Sequence, residues 1–232
     1  MHVPSEQSTP AIRLKNIQDR ILQACNQYHR NPDDVTLVAV GKTKPISAIT
    51  ELYDLGQSHF GENYLQEAMD KISAMKTSNI HWHFIGNIQS NKCRDIASRF
   101  SWVHTVDRLK IARRLAEHSD HPLNVLIQVN QSGEASKSGV EPDEALALAQ
   151  SMAIIPGLRL RGLMSIPQAS DNLQRQRDVF SDLRKLLEKL NNNGLELDCL
   201  SMGMTSDLEA AIAEGATHVR IGTALFGPRN YT

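Results

Sequence analysis

The chain has 232 residues, 41% of them hydrophobic and 22% charged, with a formal net charge of -1. This ordinary globular composition carries no electrostatic footprint for nucleic acid or an anionic membrane. No apolar run approaches the roughly 18 residues of a membrane span, and the first ten residues lack the basic flank and apolar stretch of a secretory signal. Residues 1–10 read as a loose polar segment. Within it, Thr9-Pro10 has the pattern of an N-cap followed by proline at the first helical position. Leu14, Ile17, Ile21 and Cys25 recur at helical spacing and predict an amphipathic helix over 11–28. Asn31-Pro32-Asp33-Asp34 marks a turn.

A repeating rhythm follows. Strands are predicted at Thr36–Val40, Ser58–Phe60, His81–Ile85, Trp102–Val106, Val125–Asn130, Arg159–Met164, Cys199–Met202 and His218–Ile221. Helical patterns lie between them, near Ile46–Leu55, Tyr64–Met75, Lys92–Phe100, Arg108–His118, Pro142–Ala153, Asn172–Leu190 and Asp207–Ala213. Several strands are nearly continuous apolar runs, as parallel strands covered on both faces should be. The alternation, unbroken by any shift in composition, predicts a single α/β domain over 11–232: a closed (β/α)8 TIM barrel with an extra N-terminal helix. An open doubly wound sheet is the competing arrangement. Only Gly222 to Thr232 follow the eighth strand, too few for a full return helix, so the helix over 11–28 is expected to cover the wall beside strands eight and one.

Barrel sites form at the C-terminal ends of the strands. Lys42 falls where the first apolar strand ends, setting an amine at the barrel mouth against apolar walls, where lysines act as nucleophiles. The competing reading of Lys42 and Lys44 is a pair of solvated loop charges. At the seventh junction Ser201-Met202-Gly203-Met204-Thr205-Ser206-Asp207 leads into a helix, and at the eighth Arg220-Ile221-Gly222-Thr223 closes the strand. Hydroxyls, glycines and free N–H groups there suit an anion, and barrels often place phosphate after strands seven and eight. An ordinary turn with an N-cap is the bland alternative. A lysine facing a phosphate site fits a phosphorylated aldehyde, and pyridoxal 5'-phosphate has both groups.

Other junctions are less informative. Asn63 either lies along such a cofactor or, with Glu62, caps the next helix. His81 and His83 share one side of a strand, but no further ligand set accompanies them, so no metal is expected. Cys25, Cys93 and Cys199 are odd in number and scattered, which points to reduced thiols in a cytoplasmic protein. Lys137 sits in a long hydrophilic loop, either as a solvated charge or as a second amine that traps the aldehyde in transit.

Taken together, Ala39-Val40-Gly41-Lys42-Thr43-Lys44-Pro45, Phe60-Gly61-Glu62-Asn63-Tyr64, Trp82-His83-Phe84-Ile85-Gly86, Gln89-Ser90-Asn91-Lys92, Ser136-Lys137-Ser138-Gly139, Arg161-Gly162-Leu163-Met164, Ser201-Met202-Gly203-Met204 and Val219-Arg220-Ile221-Gly222-Thr223 resemble the pyridoxal phosphate homeostasis protein family. That family is a standalone barrel related to the N-terminal domain of bacterial alanine racemases. The resemblance covers nearly the whole chain after residue 10. It implies a Schiff base at Lys42, phosphate against Thr205 and the Gly222-Thr223 backbone with Ser201 nearby, and Asn63 and Met204 along the ring. It also implies that Arg220 approaches the ring nitrogen or the phosphate side and that Lys137 handles the cofactor secondarily. Two departures stand out. Gly41 replaces a usual serine, and Thr205-Ser206 replaces a usual Ser-Asp.

The resemblance implies a carrier or buffer of the cofactor in vitamin B6 homeostasis, with apo pyridoxal-phosphate enzymes as candidate partners. An arginine facing the ring nitrogen opposes its protonation and blunts the electron sink. A racemase also needs a second base, which racemases draw from an extra domain across a dimer interface; this chain is expected to act as a monomer without it. A pyridoxal-phosphate-dependent amino-acid racemase and a sugar-phosphate barrel enzyme without the cofactor are the alternatives.

Overall fold

A computed structural model of the chain describes residues 9–75, 79–132 and 138–227. Helix α1 spans Pro10–Gln27. The Thr9 side chain accepts the Ile12 N–H at 3.4 Å, and Pro10 stands at the first position, where an N–H would have no intrahelical acceptor. The helix thus begins inside the segment expected to be loose. Residues 1–8 lie outside the described ones. A short 3-10 turn at Pro32–Asp34, with Asn31 accepting from Asp33 N–H, turns the chain into β1 (Thr36–Val40).

The repeat then continues through α2 (Ile46–Asp54), β2 (His59–Glu62), α3 (Leu65–Ala74), β3 (His81–Phe84), α4 (Cys93–Arg99), β4 (Trp102–Val106) and α5 (Leu109–Ala116). The second half holds β5 (Leu123–Gln128), α6 (Ala145–Ala153), β6 (Leu158–Met164), α7 (Leu173–Asn191), β7 (Cys199–Ser201), α8 (Leu208–Ala213), β8 (His218–Ile221) and α9 (Thr223–Phe226). All eight strands pair in parallel in chain order and β8 returns to β1, so the sheet is a closed barrel rather than an open doubly wound one. Strands β3, β6 and β7 differ from their expected bounds by one residue at one end, and two strands shift further. β2 runs on through Gly61 and Glu62, both buried, and β5 begins earlier, at Leu123.

Helix α1 is part of the barrel wall. It buries Leu14, Ile17, Ile21, Ala24 and Cys25 and packs against α8, α9 and α2. Arg13 of α1 donates to Leu225 O at 2.6 Å, and Arg30, just beyond the helix, donates to Ile212 O and Ala216 O at 3.1 and 2.6 Å. Ile212 and Leu225 sit in the last turns of short helices, whose final carbonyls lack intrahelical donors. The four-residue α9 is the only helix after β8 among the described residues, and α1 covers the gap it leaves.

The barrel interior is unusually rich in imidazole. His83 and His104 are fully buried, His218 is nearly so, and His59 is half-buried. Burial, reinforced by neighbouring histidines, pushes His83 and His104 well below the ordinary value of 6.5. Burial likewise lowers His59 to about 4 and His218 to about 3. As pH falls, the unfolded chain takes up protons at these rings near pH 6.5, whereas the folded barrel does so only near pH 4 and below. The histidines therefore leave stability intact above about pH 7 and erode it progressively from about pH 6.5 toward 4. Urea midpoints should fall between about pH 7.5 and about pH 5; equal midpoints would show that these rings titrate normally in the folded state.

Candidate functional site

The first junction is a tight turn held from three sides. Lys44 N–H closes it onto Gly41 O at 3.0 Å. Thr43 takes a φ of 61°, a left-handed conformation that a β-branched residue adopts only at a cost. Its N–H donates to Glu67 Oε2 at 2.9 Å, Lys71 Nζ donates to Gly41 O at 2.8 Å, and Lys44 Nζ donates to Gly227 O at 3.0 Å. Lys44 is thus a structural tether, not a solvated charge. Lys42, between these anchors, is half-buried and has no hydrogen bond or ion pair among the described residues.

Beneath the turn, Glu62 and Lys71 form a buried ion pair at 2.7 Å, with side-chain exposures of 0% and 7%. Burial raises the Glu62 pKa and the Lys71 ammonium partly offsets the rise. This pair accounts for the glycine at 41. A Cβ there would stand 2.5 Å from Ile49 Cδ1 and 2.8 Å from Glu62 Oε1, so those side chains already fill the space a serine would use. Glu62 is consequently a core residue of β2 and not a helix cap; α3 has no side-chain cap at Tyr64.

The opposite wall comes from the loops after β7 and β8. Gly203 has a φ of 92°, and a Cβ there would lie 2.5 Å from Ala211 Cβ, so the loop can hug α8 only with glycine at this corner. Gly203 O accepts Arg220 N–H at 3.0 Å, and Met204 N–H donates to Asp207 Oδ1 at 2.6 Å. From below, Arg20 of α1 donates to Thr205 O at 2.8 Å while pairing with Glu209. Ser206 is exposed, and the buried Asp207 carboxylate both holds the loop and favours the charged form of Arg220.

Lys42, Asn63, Met204, Thr205, Arg220, Gly222 and Thr223 line one cleft of about 220 Å3, together with Val40, Ile85 and Ile166. The last three were not singled out from sequence, although each lies at or just beyond the end of a strand. Among the described residues, the lining holds two cationic side chains and no carboxylate. Asn63 donates to Ile85 O at 3.4 Å, and its Oδ1 is buried without a partner. Arg220 is 4% exposed and donates to Ser201 Oγ at 2.7 Å and Ser165 O at 2.9 Å. Burial lowers its pKa to about 10, so it stays cationic at neutral pH.

One expected residue is placed differently. Ser201 does not line the cleft: it is fully buried and lies behind Arg220, with its hydroxyl between the guanidinium and the His104 ring. Lys137 lies outside the described residues. His81 is exposed, and both ring nitrogens of His83 are engaged by other histidines.

A cleft with one unpaired amine, hydroxyl and backbone donors opposite it, and an orphaned Asn63 oxygen has the groups that pyridoxal phosphate would require. Comparison with known proteins agrees with the architecture. The family described as alanine racemase, N-terminal domain, matches residues 12–230. A relative from Pseudomonas aeruginosa named pyridoxal phosphate homeostasis protein is 54% identical over 97% of this chain and 97% of its own. One of the same name from Escherichia coli is 48% identical over 96% of this chain and 97% of its own. The solved structure of PipY from Synechococcus elongatus with PLP bound superposes with a TM-score of 0.84 at 34% identity, over 94% of this chain and all of that one. The chain belongs to the pyridoxal phosphate homeostasis protein family, built on the alanine racemase N-terminal domain.

Proposed function

We propose that this chain binds pyridoxal 5'-phosphate in the cleft at the barrel mouth, with Lys42 as its covalent anchor, and that it carries and buffers the cofactor in cytoplasmic vitamin B6 homeostasis. The observation that carries the reading is the lining itself: the unpaired Lys42 amine shares a small cleft with Thr205, Arg220, Gly222 and Thr223, with no carboxylate among them. When bound, the cofactor supplies an aldehyde that condenses with a primary amine and a phosphate that takes hydrogen bonds. The names of the relatives and the cofactor bound in PipY support the same ligand.

Each side chain then has a task. Lys42 offers its amine from a turn whose backbone is pinned by Glu67, Lys71 and Lys44. The Thr205 hydroxyl and the N–H groups at Gly222-Thr223 would hold phosphate, and Asn63 and Met204 would flank the ring. Arg220 presents only donors and a permanent charge. Among the described residues no acid stands in the lining to favour a protonated ring nitrogen, so the electron sink that catalysis draws on would be weak. Carriage is therefore favoured over catalysis. On this reading the protein works as a monomer, and apo pyridoxal-phosphate enzymes receive the cofactor.

Borohydride reduction of the protein incubated with pyridoxal phosphate, followed by peptide mapping, should place the modification on Lys42, and Lys42→Ala should lose it. A colourless protein with no trapped adduct would overturn the reading in favour of a barrel enzyme that does not use this cofactor. Thr205→Val keeps the shape and removes one donor to an anion, so affinity should drop about tenfold; unchanged affinity would move the phosphate elsewhere. Added amino acids should gain no solvent deuterium at Cα above the Lys42→Ala control. Exchange well above it would make the protein a racemase.

A further inference from the structure

Behind the cleft a line of polar groups crosses the barrel interior. Arg220 Nη1 donates to Ser201 Oγ at 2.7 Å, and Ser201 Oγ lies 2.8 Å from His104 Nδ1. His104 Nε2 lies 2.8 Å from His83 Nδ1, and His83 Nε2 lies 3.0 Å from His59 Nδ1. These residues come from five strands, β8, β7, β4, β3 and β2, and the line ends at the half-buried His59 on the first residue of β2.

The chemistry of its two ends fixes its direction. A guanidinium has five donors and no acceptor, so Ser201 Oγ must accept from Arg220. The serine proton then needs an acceptor of its own, and His104 Nδ1 is the only other partner of that hydroxyl among the described residues. His104 Nδ1 therefore carries no proton. A neutral ring of that kind carries it on Nε2 and donates to His83 Nδ1, and the same logic passes through His83 to His59. The reverse order would send two donors into Ser201 and leave its own O–H unpaired in the core, which native interiors avoid. Burial keeps the rings neutral, as the line requires.

We infer that Ser201, His104, His83 and His59 form a one-way hydrogen-bonded column that positions Arg220 at the cleft, with all three imidazoles held as neutral Nε2–H tautomers. Ser201 on Nη1 and the Ser165 carbonyl on Nη2, at 2.9 Å, anchor the two arms of the guanidinium inside the barrel and fix its plane. Ser201 and His104 are positioning residues: they act on a ligand only through Arg220. The part of the inference that concerns ligand affinity rests on the pyridoxal phosphate reading; the tautomers do not.

Two measurements test it. Long-range 15N–1H correlation of the imidazole rings, on the unsubstituted protein without added cofactor near neutral pH, should show His59, His83 and His104 as neutral Nε2–H forms. A proton on His104 Nδ1, or a doubly protonated ring, would overturn the column. The second measurement compares His104→Phe with His104→Asn by titration with pyridoxal phosphate. Phenylalanine fills the space without an acceptor, whereas asparagine leaves a void but sets an oxygen near the Nδ1 position. Positioning predicts about tenfold weaker binding for His104→Phe and recovery of at least part of it in His104→Asn. Packing alone predicts the opposite order, and that order would refute the role. If the unsubstituted protein binds no pyridoxal phosphate, the proposed function fails while the tautomers still decide the column.

Discussion

The hydrogen bonds that join β8 back to β1, in the register Val38 to Arg220 and Ala39 to Ile221, bring the first and last strands of the repeat side by side. Lys42 follows one of these strands and Gly222-Thr223 follows the other, so an amine and a set of donors meet across the seam of the barrel. No local feature of either segment could bring them together. Helix α1 guards this seam: it covers the wall beside α8 and α9, where the short final helix leaves the strands uncovered, and its Arg20 fastens the Thr205 loop from below. Stability at the seam and geometry in the cleft thus depend on the same contacts.

Burying charge beside the cleft is costly, and the fold answers it in two ways. Glu62 and Lys71 neutralise each other at 2.7 Å under the Lys42 turn, where an unpaired ion would be severely destabilising. Arg220 instead keeps its charge without a direct ion pair. It hydrogen-bonds to neutral oxygens and receives only a longer-range contribution from Asp207. The contrast separates roles within a few residues of one another. The paired charges hold backbone in place, and the unpaired one leaves the cleft with a positive field that a phosphorylated ligand would meet on entry.

The sequence made the barrel legible where strands are apolar runs bounded by turns, as at Thr36–Val40 and Trp102–Val106, both observed with the predicted bounds. It misled at β2 because Gly61 and Glu62 look like loop residues. Only the tertiary partner Lys71 makes a fully buried glutamate tolerable in a strand. Most of the candidate site was readable because its residues sit at the strand ends that barrels use for chemistry. That Ser201 lies behind Arg220 rather than in the lining was not readable, for the same reason that the histidine column stayed hidden. Barrel layers are filled by residues from different strands, so spacing along the chain says nothing of the contact between His59, His83, His104 and Ser201.

A carrier faces a demand that a catalyst does not: it must hold a reactive aldehyde and still let it go. If Lys42 is the anchor, as proposed, it is suited to that demand by what surrounds it. The backbone on both sides of it is fixed, through Gly41 O and Thr43 N–H, so little order remains to be imposed there when a ligand arrives. The side chain itself is half-buried and unpaired among the described residues, so on the proposed reading water or an incoming amine would reach the point of attachment. On the proposed reading, a carboxylate at the ring would turn a bound aldehyde toward catalysis. On the proposed reading, the half-buried amine and a lining without acids among the described residues are therefore one design: strong hydrogen bonding to the anion for retention, an accessible amine for release, and a buried arginine that keeps the ring from doing chemistry in between.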